Sequence, residues 1–148
     1  MSDVIEIRIE DKAVMQALAR LAKRVSDLEP AMRKIAGIMH DAVEQNFEEE
    51  GKPKWKVLAS STIRQREKKG HWPGKILQAG GEMAASIEQG SDNESAWVGT
   101  NKRYAAIQHF GGKAGRGRTV EIPERAFMQL KQEALKEITE TLDNYLIK

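Results

Sequence analysis

The chain has 148 residues, 24 Lys and Arg against 22 Asp and Glu, and a formal net charge of +2, a size at which one domain buries about 70% of the surface its unfolded form exposes. No apolar run approaches the roughly 20 residues of a bilayer span, and Met1 to Glu10 carries acids without an apolar signal core, so a chain that stays inside the cell is expected. The absence of cysteine excludes disulfides, thiolate nucleophiles and Cys-ligated zinc or iron–sulfur clusters.

The small net charge hides an uneven distribution. Residues 1–50 hold seven basic and eleven acidic side chains, whereas from Gly51 to Lys75 eight basic residues face only Glu67. Residues 76–101 hold four acids and no Lys or Arg, residues 102–118 hold five basic residues and no acid, and the remainder is weakly acidic. Two basic segments therefore sit between acidic ones, an asymmetry that needs a reading.

In chain order, Val4, Ile5, Ile7 and Ile9 alternate in part with polar residues and predict a short strand. Asp11 offers an N-cap. Beyond it Val14, Leu18, Leu21, Val25 and Leu28 place one apolar stripe on a helix of about four turns. Pro30 predicts a kink near Glu29 or a new helix there, along which Met32, Ile35, Met39, Val43 and Phe47 continue a stripe. Glu48, Glu49 and Glu50 end that helix against its dipole, so the end frays or is held by basic neighbours.

Lys52 to Gly74 reads mostly as loop, with a short helix at Ser61 to Lys69, and connections this long inside a compact domain are functional or disordered. Ile76 to Ile87 fits helix or strand equally. Ala96 to Val98 predicts a strand, Tyr104 to Phe110 a short helix, Gly111 to Gly117 a flexible loop, Arg118 to Ile122 a strand and Ala126 to Leu146 a closing helix. Its face is Leu130, Leu135, Ile138, Leu142 and Tyr145. The expected fold is a single α+β domain over 1–148, with long N-terminal helices and a C-terminal helix on a small, mainly antiparallel sheet with long basic loops.

An enzyme reading finds little to stand on. His40 shares a helix face with Glu44 beside Asp41, but no third ligand follows at metal-site spacing, so a surface histidine beside acids is the better reading. His71 sits in a turn, and Ser60 and Ser61 lie in no nucleophile-elbow pattern. His109 before Phe110-Gly111-Gly112 is favoured for capping or packing. The glycine-rich Gly111 to Arg118 lacks the GxxxxGK pattern and the following helix of a phosphate loop. No catalytic residue, cofactor or metal site is expected.

Lys52 to Lys75 interleaves its cations with Trp55 and Trp72, the composition of a nucleic-acid contact. Both tryptophans can equally pack into the core, with the lysines solvated, and the same charges suit recognition of acidic protein faces. Charge alone leaves these readings open.

The order of short motifs narrows the choice. Asn46-Phe47 closes a helical N-terminal half. Trp55-Lys56-Val57-Leu58 with Ser61-Thr62, Ile76-Leu77 with Gly81 to Ile87, and Val98-Gly99-Thr100 follow. Tyr104-Ala105-Ala106-Ile107-Gln108-His109-Phe110-Gly111-Gly112 and Ile122-Pro123-Glu124-Arg125-Ala126-Phe127-Met128 complete the series. In this order the chain resembles the phage virion morphogenesis family, the tail-completion proteins of Mu-like and related tailed phages and prophages. Val57 stands where proline is common, Met83 where leucine is usual, and Ala126 and Met128 replace a proline and a leucine; each swap keeps apolar character, although alanine does not fix φ as proline does.

The resemblance implies a non-enzymatic structural protein that completes the tail or joins it to the head, working in the virion or in the host cytoplasm during assembly. It implies a homo-oligomeric ring, six-fold to match tail symmetry, and partners among tail or head-connector proteins, with no membrane role. Lys52, Lys54, Lys56, Arg64, Arg66, Lys68, Lys69, Lys113, Arg116 and Arg118 are expected on basic loops that face a partner or DNA in a lumen. Trp55, Leu58, Thr62, Gly81, Gly99, Tyr104, His109, Gly111, Pro123, Arg125 and Phe127 are the family-motif positions expected to determine the fold. Trp97 is expected to be a fold determinant rather than part of a ligand site and Phe110 to pack, with His109 as a hydrogen-bonded hinge. A nucleic-acid-binding module using the basic loops is the alternative.

Overall fold

The computed structural model describes residues 11–147, so the strand expected over Val4 to Ile9 lies outside the described residues. Helix α1 (Lys12–Ser26) is capped by Asp11, whose carboxylate accepts the Val14 N–H at 2.9 Å and so satisfies one orphan donor of the first turn. Helix α2 (Glu29–Glu49) restarts with Pro30 in its first turn, where a missing N–H costs nothing. It buries Ala31, Ile35, Ala36, Val43, Asn46 and Phe47. Met32 and Met39, expected on that stripe, are only half-buried; the small residues Ala31 and Ala36 take the places where neighbouring elements approach the helix closely.

The acidic end of α2 does not fray. Glu50 and Gly51 take left-handed conformations (φ 57° and 87°), and the Gly51 N–H returns to the Asn46 carbonyl at 3.0 Å. Lys54 donates to the Glu49 carbonyl at 2.5 Å, Lys75 to that of Glu48, and Lys131 reaches the Glu49 carboxylate at 3.3 Å. Three cations thus meet the negative end of the helix. Gly51 is required twice over, since a Cβ there would come within 2.4 Å of the Trp55 ring.

Helix α3 (Ser60–Lys68) lies inside the long basic segment, close to where the sequence predicts it. The ambiguous Ile76 to Ile87 stretch is turns followed by a one-turn helix α4 (Glu82–Ala85). Ile76, Met83 and Ile87 point inward and join Val43, Phe47, Trp55, Ala105 and Phe127 in the core. Phe47 lies edge-on to Trp55 at 6.1 Å and against Phe127 at 5.1 Å, within the range where aromatic pairs add to burial.

Strands β1 (Glu88–Ser91) and β2 (Ala96–Gly99) form an antiparallel hairpin that packs on α2. Helix α5 (Ala105–Phe110) follows. The expected Gly111–Gly117 loop is instead half of a second hairpin, in which β3 (Gly112–Ala114) pairs with β4 (Val120–Ile122) across a 3₁₀ turn at Arg116–Arg118. The architecture is α+β, with two separate two-stranded antiparallel sheets among the described residues.

Helix α6 (Gln132–Ile147) begins six residues later than Ala126. The preceding stretch is held extended by side chains from elsewhere: Asn46 donates to the carbonyls of Phe127 (2.7 Å) and Gln129 (2.8 Å), and the Met128 N–H donates to His109 Nδ1 at 3.2 Å. These bonds occupy the groups that helix formation would have used. Phe110 also departs from expectation, at 72% exposed, and Trp97 is 49% exposed. The Trp97 ring lies over its cross-strand neighbour Gly90 on the outer face of the hairpin. Among the described residues no helix is long and apolar enough to cross a membrane.

Candidate functional site

A cleft of about 660 Å³ opens between α3, the 56–59 segment, the α4 approach and β4. It joins the first basic segment to the second hairpin, because Lys56 and Lys69 line one wall and β4 forms another, while Lys113, Arg116 and Arg118 lie outside the lining. Nine of the ten expected partner-facing cations are exposed: Lys52, Lys54, Lys56, Arg64, Lys68, Lys69, Lys113, Arg116 and Arg118. Arg64, Lys68 and most of the Lys69 turn belong to α3 and its cap rather than to a loop. Lys113 stands opposite Glu121 in the hairpin, and Arg116 and Arg118 form its exposed turn.

Arg66 is the exception and a correction. It is 8% exposed and donates to the Lys75 carbonyl at 2.8 Å, so it ties α3 to the next segment instead of reaching a partner from a mobile loop. Arg125 lies deeper, at 5%. Its Nε donates to the Lys56 carbonyl at 3.0 Å and its Nη2 to that of Val57 at 3.3 Å, which fixes the segment carrying Trp55 and Leu58. Burial pushes both guanidinium pKa values down, and the nearby Arg66 charge pushes that of Arg125 further in the same direction. The hydrogen bonds of both end on backbone carbonyls, so two desolvated positive groups form part of the cleft lining.

The rest of the lining mixes apolar side chains with Ser61, Thr62, His71, Gln108 and two acids, Glu82 and Glu121. Val57 (77%), Tyr104 (44%) and Val120 (53%) are exposed there, with Leu58, Leu77 and Met83 deeper. Sequence reasoning assigned Tyr104 to the fold and gave Val57 and Val120 no role. The legible signal is that both valines sit within or beside basic segments and on no helical stripe. Thr62, Gly81 and Pro123 also line the cleft.

The remaining motif positions support these walls. Trp55 and Phe127 are buried in the core, Leu58 packs against it, and Gly99 ends β2 opposite Glu88. His109 sits edge-on to Phe127 at 5.4 Å while accepting the Met128 amide, so the expected hydrogen bond is present. Gly111 begins the second hairpin with φ 75°, and a Cβ there would lie 2.8 Å from the Glu124 nitrogen and 2.9 Å from the Ile122 oxygen, an approach that only glycine permits.

Two rival sites read differently. Trp55 is enclosed by Phe47 and Gly51, which removes it as a stacking platform for bases. His40 places Nε2 3.0 Å from the Ile87 carbonyl and Nδ1 3.5 Å from Glu44. Its ligand atom lies within 4.8 Å of those of Asp41 and Glu44, yet one ring nitrogen is engaged in tying α2 to the start of the first hairpin.

Comparison with known proteins agrees in length and in order. The model of the phage virion morphogenesis family matches residues 9–147. The Mu-like prophage FluMu G protein 2 of Haemophilus influenzae is 44% identical over 143 residues, covering 96% of each chain. Protein G of Escherichia phage Mu, named as a candidate capsid assembly protein, is 28% identical over 147 residues, covering 96% of this chain and 94% of its own. FluMu G protein 1 of the same Haemophilus strain is 29% identical with the same coverage. No solved structure matches.

Proposed function

Since the chain belongs to the phage virion morphogenesis family and so has a role in phage assembly, we propose that it completes the tail or joins it to the head as a non-enzymatic subunit of a ring. In this reading the cleft and its basic hairpin dock an acidic, partly apolar element of a neighbouring tail or head-connector protein. The observation that carries the proposal is the pairing of exposed apolar side chains, Val57, Tyr104 and Val120, with flanking cations and two buried guanidiniums in one cleft. An apolar centre with a charged rim is the anatomy of a protein interface. The exposed Lys56 and Lys69 at the cleft suit an acidic element and steer its approach. The work is then done during assembly, in the host cytoplasm or on the virion.

Contact with DNA in a ring lumen is a second reading, favoured by the nine exposed cations and weakened by the enclosure of Trp55. The two separate experimentally. Protein docking predicts that Lys113→Glu, Arg116→Glu and Arg118→Glu together leave a folded chain, because all three are exposed, and abolish the joining of heads to tails in a complementation assay. Normal infectivity of that variant contradicts the proposal. DNA affinity of the free protein that falls steeply with salt and is lost in the same variant favours the second reading.

A further inference from the structure

Helix α1 leaves an apolar face that the fold does not close, and α6, packed mainly on α2, adds the exposed Leu135 and Ile147. Along α1, Val14, Leu18, Leu21 and Val25 form a stripe with Met15 beside it, and each of the five side chains is between 40% and 53% exposed. Neither α1 nor α6 has a fully buried residue. At 1.5 Å per residue α1 is roughly 22 Å long, yet its polar attachments gather at its C-terminal end. There Asn93 bonds Ser26 and Leu28, Tyr145 bonds Asp27, and Arg24 bonds the Leu146 carbonyl. Its principal packing neighbour is α6, on which Leu135 is 43% exposed.

The two helices are opposite in charge. α1 carries Lys12, Arg20, Lys23 and Arg24 and no acid, whereas α6 carries Glu133, Glu137, Glu140 and Asp143 against Lys136. We infer that this two-helix layer is the interface with a second copy of this chain, α1 of one copy lying along α6 of the other.

Three features select that occupant. Both stripes follow alternating three- and four-residue spacings, Val14, Leu18, Leu21 and Val25 on one and Leu135, Ile138, Leu142 and Tyr145 on the other, the last three half-buried within the chain and Leu135 exposed, which is the narrow seam that helices present to helices. The cations of α1 and the carboxylates of α6 make the layer complementary to itself, so a second copy satisfies both halves at once. An anionic bilayer, the other surface a basic amphipathic helix can meet, would be repelled by the α6 carboxylates alongside, and α1 has no aromatic residue to seat at a membrane interface.

The inference deepens the ring reading above by naming its subunit contact, and rests on that reading for its setting alone. Sedimentation velocity of the full chain over a concentration series tests it. The wild type moves to larger species as concentration rises, while Leu18→Glu with Leu21→Glu stays monomeric with an unchanged unfolding midpoint, since neither side chain is in the core. A charge exchange supplies the specificity. Arg20→Glu with Lys23→Glu, and separately Glu140→Lys with Asp143→Lys, each lose self-association, and mixing the two variants restores it. A wild type that is monomeric throughout overturns the inference, as do α1 variants that associate like wild type, or a monomer that instead floats with phosphatidylglycerol vesicles. These substitutions leave the cleft untouched, so failure here is distinguishable from failure of the assembly role, which is read by infectivity of the hairpin variant.

Discussion

Asn46 does at the scale of one residue what the fold needs at its centre. At 2% exposure it is among the most enclosed polar side chains described, and its amide nitrogen holds two carbonyls of the extended segment that delivers Phe127 to the core. Removing the amide strips the buried Phe127 carbonyl of its donor, while that of the exposed Gln129 can turn to water. Asn46→Ala is therefore expected to cost about 1–3 kcal/mol, the cost of one buried group stripped of its partner. The check is the urea midpoint at an unchanged slope. Arg125 plays the matching part from the other side, fixing the backbone of Lys56 and Val57. The family motif marks it as a fold position, but the carbonyls it holds leave no periodic trace, because its side chain reaches across 68 and 69 residues.

Among the elements, the first hairpin depends on its tip. Asp92 accepts the N–H groups of Glu94 (2.8 Å) and Ser95 (2.7 Å) and the Ser95 hydroxyl (2.9 Å), and these bonds hold its carboxyl below the usual carboxylate range. Asn93 next to it anchors the tip to the break between α1 and α2. A group whose folded pKa is depressed contributes stability that is present above its unfolded pKa and lost as pH falls through the folded value. The stability difference between wild type and Asp92→Ala is accordingly largest near neutral pH and closes as the pH falls below the ordinary carboxylate range. Thermal unfolding across that pH series reads it.

Local signals made several elements legible. The Asp11 cap, the restart at Pro30, the short helix in the basic segment, the strand at Ala96 and the helix at Ala105 all follow from caps, prolines and periodicity. The misses share a cause. Strand β3 is glycine-rich and reads as loop because its partner β4, not its own propensity, makes it a strand. The segment before α6 has helical composition but its backbone groups are claimed by Asn46 and His109. Arg66 reads as surface charge because burial of a cation depends on the carbonyl that meets it, here Lys75.

For the molecule as a whole, the apolar stripes of α1 and α6 were readable while their fate was not. An amphipathic pattern reports that a face will be covered, and it does not say whether the cover comes from the same chain. The core is built from the middle of the sequence, from α2 through Phe127. The terminal helices and the cleft are left as two surfaces of different chemistry, one self-complementary and one basic with an apolar centre. In the readings proposed above, the first meets a second copy of the chain and the second a different protein. The most direct measurement is electron microscopy of an induced lysate from a phage lacking this reading frame, beside the same phage complemented in trans. Separate filled heads and tails that join on complementation are the predicted result. Intact, infectious particles without the protein would contradict the account.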